Sequence, residues 1–457
     1  MIKFLFISAI DPYAEVQYRF PQLGLGYLAS SLRQHFGPNA FKFKVVFRNV
    51  ESEINRFNPD VIGITAASQN YNYAKHYAKL AKSKNIPVIM GGIHVSCLPT
   101  TLTEDMAVAV LGEGEQTICE LMEGFAIYGF FHTQKLHAID GIAYRENGNL
   151  NVTPTRKFIE PLDSIPFPAR ELLNTSAFGN IFSSRGCPYR CLFCASTRYW
   201  NKLRFFSAEY VVAELVEMVE KYGARRISFY DDLMIADKQR FERIAELIRN
   251  APALVKTKFG INARANLITD HTAQVLKAMH VNSVGMGLES GNERTLRYLK
   301  GGSVSVEDNY NAVKILHRYG ISANASFVIG SPDETREEIL DTLHFIKTSG
   351  LNFVDTFVLV PFPGTPVWDY AKSIGAVSDD MDWNRLNIYH PKAGYPISLS
   401  KHVSPAEMNE LCKKFYHARL KIAAKSAWTH PFFPAMVRAG MANVANRVRR
   451  LGAAHAI

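Results

Sequence analysis

Two long stretches of the chain alternate short apolar runs with segments of helical periodicity, and this alternation restricts the fold to the α/β class. In the first stretch, which ends near residue 125, helical patterns such as LGYLASSLRQHF separate five apolar runs: IKFLFIS, FKFKVVF, DVIGITAA, IPVIMGG and MAVAVLG. Strands joined through helices in this way form a parallel sheet with right-handed crossovers. We therefore predict a doubly wound, Rossmann-like domain that binds its ligand at the carboxyl ends of the strands.

The second stretch, residues 178–375, repeats this alternation six times. Its candidate strands are NIFSSRG, RRISFYDD, KFGINARAN, SVGMGLES, SANASFVIG and DTFVLVPFPG. Six strands with crossover helices fit a partial (β/α)6 barrel, in which active groups gather at the carboxyl ends of the strands. Between the two stretches lie a candidate hairpin, YRENGNLNV, with Asn-Gly at its turn, and a proline-punctuated connector.

A third type of segment follows the barrel. The sequence SPAEMNELCKK starts a helix with an S-x-x-E capping box and Pro at the first helical position. The length of 457 residues and a hydrophobic content of 47% suit several globular domains. The predicted organisation is a first domain over residues 1–135, a linker over 136–177, a barrel domain over 178–375 and a C-terminal helical region over 376–457.

Three cysteines, Cys187, Cys191 and Cys194, stand close together in the stretch SSRGCPYRCLFCAS. Thiolates at this spacing are typical ligands of one soft metal centre. A structural zinc site takes four ligands, whereas the other three cysteines of the chain are single and distant. A cubane cluster normally takes four cysteines, so three ligands predict a [4Fe-4S] cluster with one open iron. A zinc knuckle, three ordinary buried thiols and a non-catalytic iron–sulfur electron carrier are the alternatives.

The spacing C-x3-C-x2-C and its flanks resemble the radical S-adenosylmethionine (SAM) enzymes. The resemblance implies that the open iron chelates the amino and carboxylate groups of SAM. It implies further that an electron from the cluster splits SAM to give a 5′-deoxyadenosyl radical. Phe193 matches the aromatic position that lies beside the adenine in this family. Plain packing of the cluster loop is the alternative for this side chain and does not exclude that role.

The same resemblance assigns SAM contacts to the ends of the barrel strands. Asp231 and Asp232 stand where the family often has Gly-Gly-Glu to hold the methionyl amine, and either carboxylate is a candidate substitute. The other candidate SAM-binding residues, one at each following strand end, are Arg264, Glu289, Gly330 and Pro363. A single acidic residue more often caps a helix or forms a salt bridge, so the prediction rests on the ordered recurrence of such residues through the strands.

The loops of the first domain resemble those of the cobalamin-binding domain that precedes the barrel in one large subclass of radical SAM enzymes. Gly91 and Gly92 match the Gly-Gly loop after strand four, where missing side chains let a nucleotide tail approach the backbone. Thr65 opens a Thr-Ala-Ala sequence in place of the Ser-x-Leu after strand three, and Glu113 lies in the loop after strand five. His94 is either a cofactor contact or a loop-stabilising side chain. A Gly-Gly loop on this fold could also bind another ligand or none.

The D-x-H-x-x-G loop of cobalamin domains is missing, because Asp11 is followed two residues later by Tyr13. No histidine is therefore placed to ligate cobalt from below. The resemblance implies that cobalamin binds without a protein imidazole, as in many members of the subclass. A related domain that has lost the cofactor is the alternative.

Positive charge is concentrated at the C-terminal end. The formal net charge is +10, and the segment from Cys412 to Ile457 holds nine Lys or Arg and no Asp or Glu. The main body is close to neutral, so we expect no nucleic-acid partner. The stretch FFPAMVRAGMANVANRVRRLG predicts an amphipathic helix. This helix either covers the barrel mouth or makes a peripheral membrane contact.

Cysteine usage and hydropathy bear on the compartment. Six cysteines, three of them assigned to a cluster, leave no disulfide framework, and an oxygen-sensitive centre requires a reducing compartment. The first apolar run reaches Asp11 and Pro12 before a cleavage site, so it predicts a strand and not a signal peptide. No stretch approaches the roughly 20 apolar residues of a membrane span. We predict a cytoplasmic protein, with membrane association through the tail as an option.

Together with the resemblance, these features predict a cobalamin-dependent radical SAM enzyme. The commonest reaction of the subclass is methylation of an unactivated carbon in a biosynthetic substrate, in which methylcobalamin carries the methyl group and the deoxyadenosyl radical removes a hydrogen. Cyclisation, oxidation or rearrangement of a lipid or tetrapyrrole-like substrate is the alternative. Methylthiolation of tRNA expects a second cysteine triplet, whereas only Cys97 and Cys119 precede the motif. The implied partners are a small-molecule or lipid-like substrate and a reducing protein such as flavodoxin or ferredoxin.

Overall fold

The computed structural model describes residues 1–11, 22–173, 178–388 and 397–426. The amino-terminal part forms a seven-stranded sheet in the order β2-β1-β3-β4-β5-β6-β7. The five predicted strands are confirmed and run parallel: β1 (Ile2–Ala9), β2 (Phe41–Val46), β3 (Val61–Ala66), β4 (Val88–Gly91) and β5 (Val108–Val110).

The predicted hairpin is also present and belongs to this sheet. Its strands are β6 (Ile142–Glu146) and β7 (Asn149–Val152), and Asn147 and Gly148 form the turn with positive φ angles of 50° and 81°. β6 pairs antiparallel with β5 and so covers an edge that would otherwise be open. The first sheet therefore extends past residue 135, the predicted end of the first domain, into the predicted linker.

Helices cover both faces of the sheet. They are α1 (Leu23–Phe36), α2 (Val50–Phe57), α3 (Tyr71–Lys82), α4 (Ile93–Cys97), α5 (Glu115–Tyr128) and α6 (Thr133–Leu136). Phe4 and Phe6 of β1 pack into one core with α1 and α5, whereas Leu5 and Ile7 pack into the opposite core with α3. Because successive side chains of a strand point to opposite faces, a strand buried on both sides must be apolar throughout.

The second sheet has six parallel strands that follow one another in chain order, as predicted for a partial barrel. They are β8 (Phe178–Ile181), β11 (Arg226–Phe229), β12 (Lys258–Ala263), β13 (Val281–Glu289), β14 (Ser322–Ile329) and β15 (Phe353–Val358). A short antiparallel ribbon, β9 (Ser184–Arg185) with β10 (Arg204–Phe205), follows the first strand. The helices of this part are α7 (Ser196–Tyr199), α8 (Ala208–Glu220), α9 (Lys238–Asn250), α10 (Asp270–Ala278), α11 (Glu293–Lys300), α12 (Val306–Arg318), α13 (Arg336–Thr348) and α14 (Pro366–Ser373).

A long helix, α15 (Pro405–Ser426), closes the described part of the chain. The predicted capping box is confirmed: Ser404 Oγ accepts from the backbone N–H of Glu407, and Glu407 Oε2 accepts from that of Ser404. Met408 and Phe415 pack α15 into the barrel core. The stretch predicted as a second amphipathic helix lies outside the described residues. None of the described helices combines the length and the apolar character that crossing a bilayer requires.

The two sheets share an apolar core. The cluster that contains Leu5 and Ile7 of β1 also contains Val360, Trp368 and Trp383 from the segment after β15. The last part of the barrel therefore packs directly on the first domain, and this contact fixes the two sets of strand ends relative to each other.

Candidate active site

A cavity of about 480 Å³ lies between the carboxyl ends of the first sheet and the beginning of the barrel. Four residues predicted to bind cobalamin, Thr65, Gly91, Gly92 and Glu113, line it together. The barrel residues that line it flank the three cysteines in the sequence or follow the next strand: Phe182, Ser184, Arg185, Gly186, Ser196, Tyr199, Trp200, Tyr230 and Asp232. The fold thus brings the surroundings of two separate motifs to one cavity.

Gly91 and Gly112 present bare backbone to this cavity. A Cβ at Gly91 would have only the carbonyl oxygen of Ile64 within 4 Å, at 3.9 Å, and a Cβ at Gly112 would have no neighbour within that distance. Side chains here would project into the cavity, so their absence leaves a cradle where a large flat cofactor can approach the main chain. No histidine occurs among the described residues that line the cavity. The residues present therefore fit cobalamin bound without a protein imidazole.

Gly92 serves the loop itself. Its φ is +99°, and a Cβ would lie 2.8 Å from both the carbonyl oxygen of Ala66 and Oγ1 of Thr65. A side chain would therefore collide with the end of β3 before it reached a ligand. Gly92 allows the close packing that holds Gly91 at the cavity wall.

The carboxylate of Glu113 is occupied by protein groups. It accepts hydrogen bonds from Arg185 at 2.5 Å, from Arg204 at 2.9 and 3.0 Å and from the backbone N–H of Ile159 at 2.7 Å. Burial alone would raise the pKa of Glu113, but the hydrogen bonds from Arg204 and the charge of Arg185 lower the pKa below its usual value. Glu113 therefore joins the two domains, and its carboxylate has no free oxygen for the predicted cofactor contact.

His94 also differs from the predicted cofactor contact. Its side chain is fully buried, stacked on Tyr71 at a ring distance of 3.8 Å and packed edge-on against Trp383 at 4.4 Å. Nε2 lies 3.1 Å from Oγ1 of Thr101. Burial lowers the pKa of His94 to about 3, so the ring is neutral. It does not line the cavity, and its position agrees with the alternative that it stabilises the loop.

The cysteine loop connects β9 to α7 and rests on the end of α11. The backbone N–H of Leu192 donates to the carbonyl oxygen of Leu299 at 3.0 Å. Burial raises the pKa of Cys187 to about 11, and the charges of Asp232 and of the other two cysteines add to the rise. The hydrogen bond from Leu192 to Leu299 anchors the loop that carries the three thiols on the barrel.

Three soft donors of this kind fit an iron–sulfur cluster with one open iron. As placed in the part of the chain that the structure describes, no three cysteine, histidine or carboxylate side chains form a ready metal site. Ligation by Cys187, Cys191 and Cys194 therefore rests on the motif and stays a prediction.

The two aspartates after β11 have different environments. Asp231 is buried and accepts hydrogen bonds from the backbone N–H of Ser183 and of Ser184, both at 2.6 Å, and from Oγ of Ser183 at 2.7 Å. It fixes the strand end that leads into the cysteine loop. Asp232 accepts a hydrogen bond of 2.5 Å from Oγ of Ser196 and lines the cavity. Of the two candidates, Asp232 is the one placed to contact a ligand.

A group of buried charges lies beneath the cysteine loop. Arg264 places Nη1 3.7 Å from Sγ of Cys191 and packs its guanidinium on the ring of Tyr189 at 3.9 Å. Nζ of Lys300 lies 4.0 Å from Oε1 of Glu289. Burial raises the pKa of Glu289 and lowers that of Lys300. Arg264 therefore contacts the cysteine loop, and Glu289 lies beside Lys300 at the base of that loop. Their contacts with SAM stay predictions.

Glu289 also has an unusual backbone. Its φ is +66°, a left-handed conformation that costs a non-glycine residue on the order of 1 kcal/mol. Such strain is typical of functional positions, since the surrounding structure must hold it.

Asp232 is the one of the seven predicted SAM residues that lines the main cavity. Gly330, Pro363 and Phe193 have surroundings of their own. Gly330 lines a second cavity of about 230 Å³ together with Met408 of α15. Pro363 is buried beside Gly364, whose Cβ would lie 3.2 Å from Sγ of Cys97. Phe193 packs against the core that the two domains share. Their contacts with SAM stay predictions.

Two family models match the chain. The radical SAM superfamily model matches residues 181–346, and the B12-binding domain model matches residues 12–122. An uncharacterised methyltransferase of Pyrococcus horikoshii is 31% identical over 432 residues, which are 90% of this chain and 91% of that protein. The chain belongs to the cobalamin-dependent radical SAM family. The cofactors of this radical SAM protein are a [4Fe-4S] cluster, SAM and cobalamin.

Solved structures agree with this fold. The radical SAM methyltransferase TsrM from Kitasatospora setae superimposes with a TM-score of 0.69 at 15% identity, over 91% of this chain and 88% of TsrM. The cobalamin-dependent radical SAM enzyme OxsB superimposes with a TM-score of 0.62 at 17% identity, over 91% of this chain and 62% of OxsB. The anaerobic magnesium-protoporphyrin IX monomethyl ester cyclase of Cereibacter sphaeroides is 24% identical over 83% of this chain and 65% of the cyclase.

Sequence reasoning missed several residues of the site. Arg185, Tyr199 and Trp200 line the cavity, and Lys300 lies beneath the cysteine loop. The available signal was proximity to the motif, because Arg185 stands two positions before the first cysteine and Tyr199 five positions after the last. No sequence feature near Lys300 indicates its position, because Lys300 lies beneath the cysteine loop only through the packing of α11 against that loop.

Proposed function

We propose that this radical SAM protein is a C-methyltransferase that acts on an unactivated carbon of a small-molecule substrate. The observation that carries the proposal is the shared cavity, since the Gly91 loop of the cobalamin domain and Asp232 beside the cysteines line the same space. Two reactive groups must be close to one substrate if a hydrogen is to be removed and a methyl group delivered at the same carbon.

The side chains in the site divide this work. We assign cluster ligation to Cys187, Cys191 and Cys194 and contact with the SAM amine to Asp232. The absence of side chains at Gly91 and Gly112 leaves space beside the backbone, where we place the cofactor of the first domain. When bound, the cluster and SAM supply a hydrogen-abstracting radical, and cobalamin supplies a transferable methyl group.

Below the cysteine loop, Arg264 and Glu289 hold buried charge of both signs. Arg264 lies against Cys191, and Glu289 ends the barrel strand with its carboxylate buried. We assign contacts with SAM to these two residues, as the family pattern implies. Tyr199 and Trp200 add aromatic surface that shields the cavity from water.

The names of relatives favour methyl transfer and also keep the alternative open. Two similar proteins are a bacteriochlorophyllide d C-12(1)-methyltransferase of Chlorobaculum tepidum and a cytidylyl-2-hydroxyethylphosphonate methyltransferase of Streptomyces wedmorensis, 24% and 23% identical to this chain. The cyclase relatives catalyse ring closure instead, by their names. Cyclisation or oxidation of a lipid or tetrapyrrole-like substrate is therefore the second candidate.

Product analysis separates the two reactions. Each methylation consumes two SAM molecules: one gives S-adenosylhomocysteine as its methyl group leaves, and the other gives 5′-deoxyadenosine and methionine. The experiment is anaerobic reconstitution with cobalamin and reductant, followed by quantification of both products. We expect both nucleosides. Formation of 5′-deoxyadenosine with no S-adenosylhomocysteine would favour cyclisation or oxidation and would overturn methyl transfer.

Radical SAM enzymes act on small molecules with electrons from a reductant, and we propose flavodoxin or ferredoxin as the reducing partner.

We also propose a peripheral membrane contact. Support comes from α15, where Lys413, Tyr416, Leu420 and Lys421 are exposed at helical spacing on one face. Tyr416 and Leu420 are 57% and 48% exposed. Apolar and basic side chains together suit an anionic lipid surface.

A further inference from the structure

Four buried charges join the segment after β5 to the β9–β10 ribbon, whose two strands stand before and after the cysteines in the chain. Glu113 pairs with Arg185 and with Arg204, and Glu115 pairs with Arg185 at 2.5 Å. All four side chains are at most 9% exposed. The two carboxylates balance the two guanidinium groups, so the group, which we call the interdomain clamp, carries no net charge.

Aromatic rings enclose the clamp on several sides. Arg204 lies 4.3 Å from the ring of Phe158, and Trp200 lies between the two arginines, 5.6 Å from Arg185 and 5.7 Å from Arg204. The ring of Tyr27 lies 5.5 Å from Arg185 on another side. Enclosure of this kind excludes water and gives each guanidinium one orientation.

A further hydrogen bond runs parallel to the clamp. The hydroxyl group of Tyr199 donates to the carbonyl oxygen of Gly112 at 2.6 Å. Gly112 belongs to the same loop as Glu113, and Tyr199 ends the short helix that follows the cysteines. The loop after β5 is thus anchored on both sides of the cysteine loop.

The connection from the clamp to the cysteines is short, since one residue separates Arg185 from Cys187. Gly186, between Arg185 and Cys187, has a φ of +96°, and a Cβ there would lie 2.5 Å from the carbonyl oxygen of Lys202. A side chain here would collide with Lys202, so Gly186 lets the chain turn closely against the segment that leads into β10. Arg185 and Arg204 are also direct partners in the β9–β10 ribbon.

Buried ion pairs add little to stability compared with apolar residues, and their best-attested use is to fix one arrangement of the parts they join. The clamp joins the wall of the cobalamin cavity to the ribbon that borders the cysteine loop. We infer that Glu113, Glu115, Arg185 and Arg204 are positioning residues that set the separation between cobalamin and the iron–sulfur cluster. This inference rests on the proposed cofactor sites, and it assigns a role to residues that themselves need touch no substrate.

The test measures the magnetic coupling between cob(II)alamin and the reduced cluster in the reconstituted protein by electron paramagnetic resonance. Dipolar coupling falls with the cube of the separation, so it reports the geometry directly. The variants are Glu115→Gln, which removes one ion pair and keeps the shape of the side chain, and Tyr199→Phe, which removes the hydroxyl group that donates to Gly112 and keeps the ring. If Glu115→Gln does not load both cofactors, Tyr199→Phe decides the outcome.

The matched control is Arg170→Met. Arg170 pairs with Glu214 at 2.7 Å, and both side chains are at most 4% exposed, but neither lines the cavity. We expect loss or broadening of the coupling in the clamp variants and an unchanged coupling in the control, even where the control lowers stability. A displacement of about 1 Å would also lower turnover by about 10²-fold.

Clamp variants that keep both cofactors and the wild-type coupling would overturn the positioning role. A different result concerns the proposed function: wild-type protein that binds no cobalamin, or shows no coupling at all, would contradict the shared cavity itself.

Discussion

Gly92 packs against Ala66 so closely that a Cβ on Gly92 would lie 2.8 Å from the Ala66 carbonyl oxygen. Its neighbour Gly91, by contrast, faces the cavity with open space beside it. The two glycines of the motif therefore have separate roles, although the sequence pattern assigns both of them to the same cofactor contact.

This contrast gives opposite expectations for two substitutions. We expect Gly91→Leu to abolish cobalamin retention while the free energy of unfolding stays within error, because the new side chain fills the cradle. Gly92→Ala should lower the free energy of unfolding by about 1–3 kcal/mol, because of the positive φ and the contact with Ala66. Absorbance of bound cobalamin and urea unfolding measure the two effects. A Gly91→Leu protein that keeps its cobalamin would place the cofactor elsewhere.

The aspartate pair gives a second prediction. Asp231→Asn should lower the free energy of unfolding by about 1–3 kcal/mol, because an amide group cannot accept all three hydrogen bonds from Ser183 and Ser184. Asp232→Asn should leave stability unchanged and weaken SAM binding, since this carboxylate lines the cavity. Isothermal calorimetry with SAM under anaerobic conditions compares the two variants. Equal SAM affinity of Asp232→Asn and the wild type would remove this residue from the SAM site.

His94 predicts a pH dependence of stability. The folded state keeps its ring neutral down to a pKa of about 3, whereas the unfolded state takes up a proton near pH 6.5. The stabilising contribution is therefore complete above pH 6.5 and is lost progressively as the pH falls towards 3. The loss is up to about 1.4 kcal/mol for each pH unit in this window.

Urea unfolding between pH 4 and pH 8 measures this slope. His94→Gln should reduce the fall in the free energy of unfolding between pH 6.5 and pH 4. His76→Gln, at an exposed position, should leave this fall as it is in the wild type. If the His94→Gln protein loses as much stability at acid pH as the wild type, other groups cause that loss.

The exposed face of α15 gives a prediction for membrane binding. The double substitution Lys413→Glu/Lys421→Glu should weaken binding to anionic vesicles by about 30-fold or more, because each basic residue near such a surface contributes on the order of 1 kcal/mol. Vesicle co-sedimentation at rising salt measures the effect, and Lys277→Glu on α10 is the control for charge. If truncation after Trp428 leaves vesicle binding intact but lowers stability or SAM turnover, the tail is a structural lid and plays no part in the lipid contact. Vesicle binding by the double variant that equals that of the wild type would exclude the contact through α15.

Much of the fold could be predicted because runs of apolar residues in the sequence identify the buried strands. All eleven predicted parallel strands are present, and the hairpin follows from Asn147 and Gly148, whose positive φ angles suit its turn. Local sequence could not show which strands pair with each other. The pairing of β6 with β5, which extends the first sheet, depends on an edge that only the folded sheet presents.

The same limit applies to the site. The motif located the cysteines and the glycines, since these residue types are required by chemistry and by close backbone approach. The partners of Glu113 lie 72 and 91 positions away along the chain, so a sequence pattern could not show that its carboxylate is already paired. His94 was ambiguous for a similar reason, because its edge-on contact with Trp383 joins segments that are far apart in the sequence.

The central claim is that Cys187, Cys191 and Cys194 hold a cluster that cleaves SAM beside bound cobalamin. The most direct measurement is the iron, sulfide and 5′-deoxyadenosine content of anaerobically reconstituted wild-type protein and of the triple Cys→Ala variant after reduction with SAM present. We predict about four irons and four sulfides per wild-type chain, with formation of 5′-deoxyadenosine, and loss of all three in the variant. A triple variant that keeps its cluster and still cleaves SAM would contradict the account.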